Sequence, residues 1–592
     1  MDPFARTSST DERVVDLAAR VALAWSVVYL LWRAVFTLGG ADAPTAAVLF
    51  TAEVLAVVVF AARVHSARDQ PIEVVVSPGA PMPDIAAVID ATGTSVDELR
   101  TTLVALRRVA GIDRVSVVDG DDSRRLRTVA ERLHATVVDP STGFDEAVMS
   151  SGTSWVLLLR SGDLPMPDLV SVAAARCSSP DIAVIQVGIE EADPTSFEYD
   201  PDGHWSLEPF EQQVVRPRLA ARGSVPWYGD GPVLVRRSAL ARLDSVGAGH
   251  MLDDARRVGL DVIRSGMIVT HLPLTLARVR GPHGLGESLA RRHGRAARAL
   301  RALGPNDLRG IPRPAQLAHL EALVPTIAAL QRVLLVAGAV LTLAFGRVPM
   351  HASVPVLAAL AGPSYLLRWW AHRQFGRGRL GPLSILRSDL RSLGVDLMPL
   401  GNLSHRANRA GLGALVAMIL VLDVAVIIGA VSVWRDWTNR LPVSAAVIAF
   451  ALTLGFLAVA MEVLFDAVVR HQRRSNQRVR LGLVTCRIEE IEGQLVDLST
   501  GGAGIVVPAT ADSIPDVDDV TTVAFRIPDA DGAWRNVSAL VRIAHRHADP
   551  EGGVRLGLAF DDPTDAPLDP VIEFLTIDRR LVALGRHEAA YG

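Results

Sequence analysis

"RRSNQR", residues 473–478, and "DLSTGG", residues 497–502, stand at the head of the last domain of this chain. Around and beyond them, short β-rich runs alternate with turn clusters: "GQLVDL" (493–498), "TTVAFRI" (521–527), "VSALVRIAHR" (537–546) and "RLGLAF" (555–560). Runs of this length and composition between turns read as strands. With a closing helix near 568–585, they predict a small β-barrel over residues 471–592. The arginines follow an apolar run at 443–466, so their first reading is topological: cations that fix the cytoplasmic end of a membrane helix. The second reading is chemical. A guanidinium fork can stack on an aromatic face or pair with an anion such as phosphate. Asp497 offers a carboxylate acceptor, Ser499 a hydroxyl, and Gly502 close backbone approach.

Upstream, the composition points to a membrane. In 592 residues the hydrophobic fraction is 49% and the mean hydropathy is +0.29, high for a water-soluble chain. Six runs are long enough to span a bilayer: roughly 16–37, 46–64, 323–345, 352–371, 411–434 and 443–466. Arginines cluster after the second (Arg63, Arg68), fourth (Arg368, Arg373, Arg377, Arg379) and sixth (Arg470, Arg473, Arg474, Arg478). Fewer follow the third and fifth, so both termini and the large 65–315 segment are expected in the cytoplasm of a multi-pass inner-membrane protein. Between the fourth and fifth spans, residues 381–409 mix apolar and basic side chains and are expected in the membrane interface. Formal net charge is −4, which gives no sign of a nucleic-acid partner. Cys177 and Cys486 are too far apart and too few for a disulfide framework.

The 65–315 segment alternates strands and helices: "IAAVID" (85–90), a helical "VDELRTTLVALRRVA" (96–110), "VSVVDG" (115–120) and the strand of "SWVLLLRSGD" (154–163). That alternation predicts an α/β domain with a largely parallel sheet. Ligands of such sheets lie beyond the carboxyl ends of the strands. Asp119, Asp121, Asp122 and Asp163 fall there.

The pairing of Arg474-x-x-x-Arg478 with Asp497-x-Ser499-x-x-Gly502 resembles the signature of PilZ domains, receptors for cyclic di-GMP. The resemblance implies that Arg474 and Arg478 grip guanine or phosphate, that Asp497, Ser499 and Gly502 complete the site, and that Arg473 assists. The whole order of parts resembles the catalytic subunit of bacterial cellulose synthase. The implied layout is a tail (1–15), two membrane helices (16–64), a family 2, GT-A-like glycosyltransferase domain (70–312), four further membrane helices (313–470) and the PilZ domain (471–592). A nucleotide-sugar donor, a polysaccharide product, other polysaccharide-synthesis subunits and the lipid bilayer are the partners this implies.

The catalytic motifs of that family are altered here. "VVDGDDS" keeps acids for uridine or metal, but "LLLRSGDLPMPD" retains only Asp163 of an Asp-x-Asp pair, with Arg160 or Ser161 in the place of the first aspartate. An arginine there repels Mg or Mn, which would be needed only by an active transferase. "MLDD" leaves Asp253 and Asp254 for the general base. "RHGRA" (292–296) keeps Arg295 for the nucleotide sugar, but Arg292 stands for glutamine and Ala296 for the acceptor-stacking tryptophan. The expectation is a glycosyltransferase fold with lost or reduced activity; the alternative is an active polysaccharide synthase switched by cyclic di-GMP.

Overall fold

The computed structural model describes residues 9–38, 42–67, 81–120, 123–139, 141–191, 207–243, 246, 250–282, 285–304, 308–347, 350, 352–376, 380, 383–397, 407–434, 443–469, 479–510, 514–528, 533–549, 552–561 and 566–576. The chain divides into two compact units. One contains residues 1–73, 195–228 and 282–472; the other contains 74–194, 229–281 and 473–592.

The second unit holds the α/β sheet and the barrel. The sheet strands are β1 (Ile85–Asp90), β2 (Ile112–Val118), β3 (Thr136–Val137), β4 (Trp155–Arg160), β5 (Leu164–Pro165), β6 (Ile182–Glu191), β7 (Val233–Arg236) and β8 (Ile268–Val279). Their order is β3-β2-β1-β4-β7-β6-β8-β5. β1 to β4 run parallel, whereas β7 runs antiparallel to both neighbours. The sheet is therefore mixed, with the GT-A-like order. In β1 and β4 every residue but the last is buried, as uninterrupted apolar runs covered on both faces should be. A capping box starts the helix Val96–Leu106: Ser95 Oγ accepts from the Glu98 amide at 3.3 Å, and Glu98 Oε2 accepts from the Ser95 amide at 2.9 Å. The turn beyond β1 is set by this cap.

The barrel is closed. β9 (Val479–Ile488), β10 (Ile491–Ser499), β11 (Gly502–Pro508), β12 (Val520–Pro528), β13 (Trp534–Ala548) and β14 (Gly553–Phe560) pair in the order β10-β11-β14-β13-β12-β9. The expected closing helix is Asp569–Thr576, and it has two working faces. Val571, with Leu568 just before it, belongs to the barrel core, and Phe574 and Leu575 pack against that core. Ile572 instead belongs to the core of the α/β domain. Beside it, Asp569 Oδ1 accepts two hydrogen bonds from Arg100, from Nε at 3.0 Å and Nη2 at 2.7 Å. Arg278 Nη1 donates to the Leu575 carbonyl at 3.2 Å. The Arg100 side chain is 0% exposed, so Asp569 is the partner of a fully buried cation.

In the first unit, among the described residues, five helical segments are long and apolar enough to cross a membrane: Val14–Thr37, Ala43–Ser66, Arg313–Phe345, Leu412–Val431 and Ala449–Asp466. The remaining expected span forms the helix Val354–Phe375 but is less apolar, carrying Pro363, Ser364, Tyr365, Arg368, His372 and Arg373. It is tied to the first helix by Trp25, which donates to the Leu360 carbonyl at 2.9 Å, and by the Ser26–Ser364 hydroxyl pair at 3.0 Å. Glu53 accepts from Tyr29 and Arg33, and Glu462 pairs with Arg387, so these two acids bond within the bundle.

Segment 381–409, expected in the membrane interface, forms the helix Ser384–Leu397 over its described part, and protein encloses much of that helix. Asp389 accepts from Arg63 and Arg332, and Asp396 accepts from Arg292. Both carboxylates are 2% exposed, so they need these cations.

Removing one partner of a buried ion pair costs about 3–5 kcal/mol. Asp569→Ala should therefore lower the thermal unfolding midpoint of the detergent-solubilised full chain, whereas Asp561→Ala, at an exposed pair with Arg542, should leave it nearly unchanged. Equal midpoints for the two variants would refute the role given to Asp569.

Candidate functional site

On the barrel, "DLSTGG" is the hairpin joining β10 to β11, with Thr500 and Gly501 at its tip and Ser499 paired to Gly502 across it. Ser499 Oγ donates to the Gly502 carbonyl at 3.0 Å. A Cβ on Gly502 would lie 2.0 Å from the Leu558 carbonyl oxygen of β14, so only glycine lets the strands approach there. Asp497, 3% exposed, accepts from Arg555 of β14 at 2.9 Å. The structure thus brings Asp497, Ser499 and Gly502 together on one hairpin. Arg473, Arg474 and Arg478 lie outside the described residues.

Residues 470–576 match a known family model. It is the PilZ domain. That PilZ match covers the whole barrel, and a PilZ domain implies cyclic di-GMP binding. No curated protein matches the chain. Among solved structures it is similar to a mannosyltransferase from Pyrobaculum calidifontis in complex with GDP-Man and Mn2+, at 16% identity and TM-score 0.39, over 56% of this chain and 97% of that one. It is also similar to glucosyl-3-phosphoglycerate synthase from Mycobacterium tuberculosis (16% identity, TM-score 0.26, 41% and 86% covered). Mannosyl-3-phosphoglycerate synthase from Rubrobacter xylanophilus is a further such structure (16%, 0.27, 38% and 74%). At these scores the likenesses add nothing to the strand order described above. Apolar helices, a GT-A-like mixed sheet and a C-terminal PilZ barrel are consistent with a cellulose synthase-like architecture.

In the α/β domain, the carboxyl ends of β2, β1 and β4 lie side by side, Asp90 pairing in register with Val118 and with Arg160. Asp119, one residue past β2, accepts at 2.7 Å from the amide of Ser123, the residue that precedes the helix Arg124–Arg132. Asp163 is buried and accepts from the Arg160 amide at 2.8 Å, closing the turn after β4. The Arg160 side chain extends the other way: its Nη2 meets Asp253 Oδ1 at 2.7 Å. Asp254 is exposed at the N-terminal cap of the helix Ala255–Arg264. Asp121 and Asp122 lie outside the described residues. Among the described residues no group of three acids, histidines or cysteines could hold a metal ion. An arginine paired to Asp253, with Asp163 turned onto an amide, does not fit a divalent cation.

Asp90 and His250, which the sequence reading did not single out, belong to the same cluster. His250 Nε2 lies 3.3 Å from Asp90 Oδ2, and the imidazole stacks on Phe144 with centroids 4.6 Å apart. Burial pushes the Asp90 carboxyl up, but hydrogen bonds from His250 and the Thr92 amide outweigh it and hold the group below the usual range. For His250, burial pushes down, and the hydrogen bond and charge of Asp90, helped by Asp253, raise it above the usual histidine value. The only sequence signal was position: Asp90 ends an apolar strand, and His250 directly precedes "MLDD".

The "RHGRA" residues lie in the other unit, where they make structural pairs. Arg292 grips Asp396 through Nε at 3.1 Å and Nη2 at 2.8 Å, and Arg295 pairs with Glu208. Burial pushes Glu208 up, but Arg295, with Arg292 and Arg216, holds it below the ordinary carboxylate range.

The Asp90–His250 pair carries a pH signature. Because the folded His250 value is raised, its stabilisation is full below the unfolded value of about 6.5 and is lost as pH rises through the folded one. The Asp90 share is present above its unfolded value of about 3.9 and is lost as pH falls through its lowered folded value. The thermal midpoint difference between wild type and His250→Gln should thus be largest near pH 5–6 and shrink toward pH 8. A difference that grows toward pH 8 would contradict the assigned pairing.

Proposed function

We propose that this chain is a cyclic di-GMP-binding integral membrane protein of the cellulose synthase-like type that regulates or takes part in exopolysaccharide synthesis. Its glycosyltransferase-like domain is catalytically degenerate. The observation that carries the degeneracy is the Arg160–Asp253 pair. One cation stands at the strand end where the family places a metal-holding acid, and it neutralises a carboxylate from the motif that supplies the base. Asp253 and Asp254 are vestiges of that base in this reading. Asp119, Asp121, Asp122, Asp163 and Arg295 are remnants of nucleotide-sugar binding, and Asp163 is the remnant metal ligand. No catalytic step is assigned to them.

Cyclic di-GMP is held by Arg473, Arg474 and Arg478 together with Asp497, Ser499 and Gly502. The arginine segment joins the last membrane helix to the barrel, so closing it over the ligand couples messenger binding to the bundle. Other polysaccharide-synthesis subunits receive that signal.

Chain parity supports placing both large domains on one face of the bacterial inner membrane. The helix Asp569–Thr576 docks on the α/β domain, which supports an even number of crossings between residues 281 and 473. Among the described residues three apolar spans lie in that interval, and Val354–Phe375 is taken as the fourth. The arginine bias then puts both domains in the cytoplasm, with the boundaries at 16–64, 70–312, 313–470 and 471–592.

Calorimetry on the full chain in nanodiscs should show saturable cyclic di-GMP binding that is lost in Arg478→Ala. With manganese and UDP- or GDP-sugars the same preparation should show no turnover. Weak, equal heats for wild type and Arg478→Ala would remove the receptor reading. Turnover abolished by Asp254→Asn would instead establish an active transferase.

A further inference from the structure

The barrel face beside the hairpin contains a charge arrangement that the arginine and "DLSTGG" motifs do not account for. Four residues align across four strands: Asp497 of β10 lies opposite Gly504 of β11, Gly504 opposite Gly557 of β14, and Gly557 opposite His545 of β13. A Cβ on Gly504 would sit 2.7 Å from Asp497 Oδ1, so the carboxylate lies over bare backbone. From the adjacent row, Arg555 sends Nη2 to Asp497 Oδ2 at 2.9 Å. Asp497 has a side-chain exposure of 5% and Arg555 of 33%. The carboxylate is thus enclosed, while the guanidinium reaches the surface next to it.

This geometry creates a requirement. A cyclic dinucleotide carries two phosphate charges, and bringing it against an enclosed carboxylate is repulsive unless a cation offsets that carboxylate. We infer that Arg555 is a positioning and charge-offsetting residue of the cyclic di-GMP site: it fixes Asp497 for the N–H edge of guanine and cancels its charge toward the phosphates. The inference rests on the receptor reading above. It assigns to β14 a function that the two motifs leave unfilled.

The test is titration of the full chain in nanodiscs with cyclic di-GMP and cyclic di-AMP, whose adenine lacks the guanine N1 and N2 hydrogens. Wild type should prefer cyclic di-GMP. Arg555→Met should lose about tenfold or more in cyclic di-GMP affinity, with a smaller loss for cyclic di-AMP, which shares the two phosphates but not the guanine edge, and Arg555→Lys should recover part of the loss. In an Asp497→Asn background, where no charge needs offsetting, Arg555→Met should cost less than threefold. Unchanged affinity and preference in Arg555→Met would overturn the inference. So would an equal loss for both dinucleotides with a lowered thermal midpoint, which marks a merely structural arginine. Absence of cyclic di-GMP binding by wild type would overturn the receptor reading itself and be recognisable as that, since it does not depend on Arg555.

Discussion

The Arg100–Asp569 contact joins residues 469 positions apart and makes the α/β sheet and the barrel one compact body. Arg100 sits inside the α/β domain, where an unpaired cation is among the least tolerable of groups. Its counter-charge comes from the terminal helix of the barrel. Ile572, one turn further on, adds an apolar side chain to the same core. The helix is therefore shared: one stripe completes the barrel and the other completes the sheet domain. A barrel held in this way is not a loosely tethered sensor.

The carboxyl ends of the α/β strands gather acids and one arginine. Three strand ends deliver Asp119, Asp90 and Arg160 to one rim. Four of the described acids there are engaged: Asp119 on the Ser123 amide, Asp163 on a turn amide, Asp90 on His250, Asp253 on Arg160. In the other unit, Arg292 and Arg295 do comparable work, binding Asp396 and Glu208. Both arginines are engaged in ion pairs.

Much of the fold was legible because it rests on local pattern. "IAAVID" and "WVLLLR" are apolar on both faces, and both are inner parallel strands. "DLSTGG" carries its own turn chemistry and forms the predicted hairpin. What stayed hidden depends on distant pairing. The antiparallel β7 enters the sheet after a long excursion, and no periodicity announces its direction. The helix Ser384–Leu397 reads as interfacial because it mixes basic and apolar residues; its two aspartates, matched by arginines from three other helices, enclose it in protein. Arg555 and Asp497 lie in separate strands, and only the register across β11 brings them together.

Hydrogen–deuterium exchange on the full chain in nanodiscs, with and without cyclic di-GMP, tests the central claim most directly: a messenger site on a barrel rigidly joined to the sheet domain. Protection on binding should appear in residues 470–478 and 497–502, with no change in the amides of Val96–Leu106 and Asp569–Thr576. No protection at the hairpin, or faster exchange in Asp569–Thr576 as the barrel separates from the sheet domain, would contradict the account.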